Sequence, residues 1–154
     1  MYQRILVPID GSPTARKGLA EAIALARMSG GRIRLLHVVD ELSFVLGAGP
    51  AGAAYSGDVI GMLRDAGRAV LAAAEAEVRA AGVPVDTEMH DGFEGRVCDI
   101  VAAAATEWKA EVLVIGTHGR RGVGRMLLGS DAEQIVRLSP APVLLVRGDT
   151  PGPR

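Results

Sequence analysis

Four short, almost unbroken apolar runs punctuate the chain: Arg4 to Ile9 (RILVPI), Ile33 to Val39 (IRLLHVV), Glu111 to Ile115 (EVLVI) and Pro142 to Arg147 (PVLLVR). Between them the apolar period changes. Ala15, Leu19, Ala22, Ile23 and Ala26 recur at helical spacing, as do Ile60, Leu63, Gly67, Val70, Leu71, Ala74, Val78 and Ala81, and then Val97, Ile100, Val101, Ala104 and Ala105. A weakly alternating run, Pro84 to His90, adds one more strand, and Ser130 to Leu138 one more helix. Strands apolar on both sides must be covered on both faces. Strands that alternate with helices therefore predict a parallel sheet with right-handed crossovers. The fold class is α/β: a Rossmann-like, doubly wound, five-stranded parallel sheet with helices on both faces. Residues 1–147 are read as one domain, and the Pro-rich stretch 148–154 as a flexible tail.

Turn signals sharpen the first unit. Asp10-Gly11-Ser12-Pro13 closes the first strand, with Ser12 placed to cap a helix that opens on Pro13, and Gly30-Gly31 ends that helix. From Asp40 to Gly57 the chain is rich in Gly, Ala and Ser, and it is expected to form a flexible loop. Within it FVLGAGPAGAAY sets Gly47, Gly49 and Gly52 at the G-x-G-x-x-G spacing of a dinucleotide-binding turn. The supporting context is missing. A strand there would begin too soon after the preceding one for a parallel crossover, and the acidic candidates downstream, Glu75 and Glu77, sit within a helical repeat.

Composition narrows the function classes. The chain of 154 residues has a formal net charge of −1, and its basic residues gather only briefly, at Arg120, Arg121 and Arg125. Neither nucleic acid nor an anionic membrane has a broad footprint to meet. No apolar run is long enough to span a bilayer, and the amino end reads directly as a strand rather than as a leader. With a single cysteine, Cys98, that reads as buried, a cytoplasmic location is expected. His37, His90 and His118 lack metal spacing, so no metal site is expected, and His37 reads as a core histidine bonded within the sheet. No nucleophile has a spaced base and there is no P-loop lysine; no catalytic residue is assigned.

In doubly wound sheets ligands sit beyond the carboxyl ends of the strands, where successive connections leave to opposite faces. One such end carries Asp10, which suits either an Asx turn or a ligand contact. The other opens G-x-x-G-x9-G-S, formed by Gly116, Gly119, Gly129 and Ser130 with the three arginines between. Glycines at a strand exit and at a helix start let backbone N–H groups converge, and the helix end adds partial positive charge. This is the pattern of an anion or phosphate site.

On these residues the chain resembles the universal stress protein family, in its nucleotide-binding branch. RILVPIDGSPTA matches the family's opening strand and turn, LLHVVDE its second strand, EVLVIGTHGRRGVGRMLLGS its signature loop and PVLLVR its final strand. The resemblance implies strand order 3-2-1-4-5. It also implies a homodimer paired through the last strand (Val143, Leu144, Leu145, Val146) and ATP, or AMP or ADP, in the crevice, with Mg²⁺ as a companion. It assigns Asp10 to the adenosine, Pro8 and Val38 to the adenine walls, Ile115 to the base or sugar, and Gly116 to the ribose. Gly119, Gly129 and Ser130 would take the phosphates. One departure stands out: Asp131-Ala132 replaces the family's usual Val-Ser/Thr, so a carboxylate is expected near the terminal phosphates. The expected function is a stress-response regulator or interaction module with an unidentified partner protein. The alternatives are a ligand-independent scaffold and a slow nucleotide hydrolase.

Overall fold

The computed structural model describes residues 1–52, 56–92, 94–117 and 128–148. In chain order the elements are β1 (Arg4–Pro8), α1 (Pro13–Ser29), β2 (Arg32–Val38), α2 (Glu41–Gly52), α3 (Ser56–Ala80), β3 (Val85–His90), α4 (Val97–Glu107), β4 (Val112–Gly116), α5 (Ser130–Leu138) and β5 (Val143–Val146). The strands form one sheet in the order β3-β2-β1-β4-β5, with every neighbouring pair parallel. Fold class and strand order are as the sequence led us to expect.

The two-residue period of the strands divides the core into two layers. Ile5 and Val7 of β1 join Ile33, Leu35, Val112 and Val114 beneath α1 and α3, where Leu19, Ala22 and Val78 close the layer. Leu6, Leu36, Leu113 and Ile115 point the other way, onto Val101, Ala105 and Ile135 of α4 and α5. Each buried Leu, Ile or Val contributes about 1.5–3 kcal/mol. A one-residue slip of a central strand would exchange the layers, so the pattern sets the register. Helix α1 begins where Ser12 Oγ accepts from Ala15 N (3.1 Å) and ends at Gly30, whose φ of 67° is the left-handed conformation that stops a helix.

One expectation is corrected. The stretch from Asp40 to Gly57, read as a flexible Gly/Ala loop, contains helix α2 over Glu41–Gly52, and α3 is already under way at Ser56. Local and tertiary contacts override the poor helix propensity of its glycines. Asp40 Oδ1 accepts from Ser43 N (3.1 Å) and Asp40 O from Phe44 N (3.3 Å), which starts the first turn. Glycine shows itself further on, at Gly49, where φ 63° and ψ −168° break the helical run. No strand feeds Gly47, so the dinucleotide-turn reading fails for the reason the sequence suggested.

Candidate functional site

β1 is the switch point. Its connection to β2 runs through α1 on one face, while α4 and α5 flank β4 on the other, so the carboxyl ends of β1 and β4 part and leave a cleft of about 470 Å³. Pro8 and Asp10 line it from β1 and its exit, Val38 from the end of β2, and Ile115 and Gly116 from the end of β4. Gly129, Ser130 and Asp131 close the far side. These eight expected site residues thus share one cavity. Gly119, like His118 and Arg120, Arg121 and Arg125, lies outside the described residues.

The structure shows the Asx turn at Asp10 and places the residue at the cleft. Its Oδ1 accepts from Ser12 N at 2.8 Å, an Asx turn that aims the chain into α1, and the same residue borders the cleft. On the other side Gly129 N donates to Thr117 O (2.8 Å) and Thr117 N to Val146 O (2.9 Å), so the end of β4 and the start of α5 are tied together at the sheet. Among the described residues, helix α5 then starts with no side-chain cap bond at Gly129, and its first turn borders the cleft. Gly116 is a glycine for a packing reason: a Cβ there would stand 2.7 Å from Thr14 Cγ2 and 2.9 Å from the Thr14 carbonyl. That contact lets the end of β4 lie against the start of α1.

Residues outside the expected set complete the walls. His37 Nδ1 lies 2.7 Å from Ile9 O, and since a carbonyl only accepts, that nitrogen carries the proton. The imidazole is buried, as its sheet position implied, and it also lines the cleft. It fits only because Gly67 faces it, for a Cβ at Gly67 would come within 2.6 Å of His37 Cδ2. Ser43 and Phe44 from α2, with Leu63 and Ala66 from α3, form the remaining wall. The helical spacing of Leu63 and Gly67 was legible in the sequence; that their face meets the cleft was not.

Among the described lining residues there are three carboxylates, Asp10, Asp40 and Asp131, and no lysine or arginine. Behind the α2 wall, Arg64 Nε lies 2.8 Å from Glu41 Oε1 and 3.3 Å from Asp91 Oδ2. The hydrogen bond to Glu41, assisted by the charges of Glu41 and Asp91, holds the Arg64 guanidinium above its ordinary range. Among the described residues no group of three or more His, Cys, Asp or Glu is arranged to hold a metal. None of the described helices is long and apolar enough to cross a membrane.

The geometry agrees with a family comparison: residues 1–147 match the model of the universal stress protein family. The chain belongs to this family. Universal stress protein MJ0531 of Methanocaldococcus jannaschii is 32% identical over 147 residues, covering 96% of this chain and 83% of its own length. Among solved structures of the fold, hypothetical protein MJ0577 superposes with a TM-score of 0.84 at 24% identity, covering 97% of this chain and 99% of that one. Two others carry a nucleotide. A universal stress protein in complex with cAMP gives a TM-score of 0.66 at 24% identity, covering 96% of this chain and 98% of that one. The Archaeoglobus fulgidus universal stress protein in complex with dAMP gives 0.68 at 21%, covering 94% and 98%.

Proposed function

We propose that this universal stress protein binds an adenine nucleotide in the β1/β4 cleft and acts as a nucleotide-dependent regulator or interaction module in the cytoplasm. The observation that carries the reading is the pairing, across one cavity, of the Asp10 turn with the uncapped first turn of α5 at Gly129 and Ser130. An apolar wall of Pro8, Val38 and Ile115 suits a base or sugar, and open N–H groups at a helix start suit a phosphate. The cAMP and dAMP complexes of related folds support the same chemistry.

The donor set fits a nucleotide better than it fits a free metal. With three carboxylates and no described cation around the cleft, a polyphosphate needs charge from Mg²⁺ or from the arginines of the 118–127 stretch. We therefore read AMP or ADP as better suited than ATP alone. Gly119 is proposed as a further phosphate contact. The chain is proposed to dimerise through β5, since among the described residues Val143 to Val146 pairs on one side only, with β4, and its Leu144 and Leu145 are exposed along with Val136 and Leu138 of α5. No residue is assigned a catalytic role, and any hydrolysis is expected to be slow.

A second reading, a ligand-independent scaffold, is favoured by one observation. Asp131 supplies its own carboxylate to the first turn of α5 and could satisfy that end without a ligand. Mass spectrometry of small molecules released from purified, heat-denatured protein, followed by calorimetry with AMP, ADP and ATP, separates the two. A released or titratable adenine nucleotide supports binding; neither, at millimolar ligand, establishes the scaffold. Light scattering on wild type and Leu144→Lys tests the dimer, with twice the chain mass expected for the former and a shift to monomer for the latter.

A further inference from the structure

Glu41 is fully buried, yet its carboxylate reaches only one partner among the described residues. Oε1 is bonded to Arg64 Nε at 2.8 Å and Oε2 has none. Burying a charge is tolerated when an opposite charge holds it, and removing one partner leaves the other stranded. Arg64 also ties Asp91, just beyond β3, so one guanidinium joins the start of α2, the face of α3 and the exit of β3. The elements it joins are the ones that wall the cleft. Ser43 and Phe44 follow Glu41 in the first turns of α2, and Leu63, Ala66 and Gly67 flank Arg64 on α3. Beyond them α2 is broken at Gly49. The strap therefore depends on its first turn for its anchorage.

We infer that Arg64 is a positioning residue for the nucleotide site: by holding Glu41 it keeps the first turns of α2, with Ser43 and Phe44, in place as the outer wall of the cleft. This rests on the nucleotide-binding reading. Without Arg64 the Glu41 carboxylate has no compensating charge among the described residues and leaves its buried position for water. The wall then spends most of its time open, and apparent affinity falls in proportion to the closed fraction. A strap closed about one-tenth of the time lowers affinity about tenfold. The same opening speeds ligand escape, so the loss appears in the dissociation rate while association is unchanged or faster.

The test combines AMP binding, by calorimetry and stopped flow, with hydrogen exchange of the ligand-free full chain. Wild type, Arg64→Ala, Arg64→Lys, Glu41→Gln and Arg68→Ala are compared. Arg68 lies on the same helix and pairs with the exposed Asp65, making it the control. Arg64→Ala is expected to bind AMP about tenfold more weakly, through faster dissociation, and to raise exchange at the amides of 43–47 without raising it in β1 or β2. Arg64→Lys should recover part of both effects, Glu41→Gln should show a smaller loss, and Arg68→Ala should match wild type. Should Arg64→Ala not fold, the Lys and Gln variants carry the same comparison. Unchanged AMP affinity in the Arg64 variants overturns the inference, as does an affinity loss without faster exchange in α2. If wild type binds no adenine nucleotide, the nucleotide reading falls and the inference with it; the ligand-free exchange data still report whether Arg64 holds the strap.

Discussion

The cleft is bounded by two strand–turn–helix units that begin alike and finish differently. At the β1 exit, three early donors of the turn find local acceptors: Ser12 N on Asp10 Oδ1, Ala15 N on Ser12 Oγ and Arg16 N on Ser12 O. At the β4 exit Thr117 ties Gly129 to the sheet, but among the described residues α5 starts without a side-chain cap. The first unit directs these three donors onto its own side chains and backbone. In the second, among the described residues Gly129 makes no side-chain cap at the start of α5, and Gly129, Ser130 and Asp131 border the cleft, as the proposed anion site requires. On the proposed reading, similar local patterns thus yield a frame on one side and a receptor on the other.

Breaking the junction between the two units should have the largest effect. Gly116→Val pushes a side chain into the Thr14 backbone at a distance no Cβ tolerates, so β4 and α1 must separate. A stability loss of about 1–3 kcal/mol is expected from overpacking, together with weaker nucleotide binding, as checked by urea denaturation and calorimetry. Unaltered stability would mean that the two units are not mechanically joined.

Changing the receptor side alone should alter selectivity rather than fold. Asp131 is exposed in the first turn of α5 and borders the cleft. A carboxylate about 5 Å from a phosphate charge, at an effective dielectric near 20, is repelled by roughly 3 kcal/mol, reduced to about 1–2 kcal/mol by screening or Mg²⁺. Asp131→Val is therefore expected to strengthen ATP binding about tenfold, with less gain for AMP. Calorimetry with AMP, ADP and ATP, with and without Mg²⁺, measures it; equal gains for all three would show that Asp131 faces away from the phosphates.

Changing the frame side should do the reverse. Ser12→Ala removes the bond to Ala15 N and is expected to cost about 1 kcal/mol of stability, with the ratio of ATP to AMP affinity unchanged. A shift in that ratio would mean the α1 turn reads phosphate number too.

A third helix start gives the smallest effect and a sign to check. Asp99, in the first turn of α4, is held below its ordinary value chiefly by the side-chain hydrogen bond from Arg96. A depressed carboxylate contributes stability that is fully present above its unfolded value, about pH 4, and lost as the pH falls through the folded value. Asp99→Asn should therefore be slightly less stable than wild type at neutral pH and converge with it in acid. Because the pair is exposed, the gap is expected to be small. Denaturation midpoints from neutral pH down into the acid range would show it, and a gap that widens in acid would refute the assignment.

How far these features could be read in advance follows from the range of the forces behind them. The Ser12-Pro13 start, the Gly30 stop and the buried position of His37 each depend on residues close in sequence or on a strand's apolar period, and all three were legible. The helix at Glu41–Gly52 was not, because its start is secured partly by Arg64, a partner on another helix. His37 was assigned to the core but not to the cleft, since only the approach of Gly67 brings α3 over it.

By itself the sequence determined the strands, the helices and their two-faced layering, because periodicity, caps and glycine spacing act over a few residues. The strand order came through the family resemblance, and the meeting of Asp10 with the Gly129-Ser130 turn through that resemblance and the switch-point rule. Only the tertiary structure decided that α2 forms at all, that Gly116 is needed against Thr14 and that Glu41 is buried on Arg64. Those outcomes rest on contacts between segments far apart in the chain, whose strength depends on burial and distance, and neither quantity is carried by a local pattern of residues.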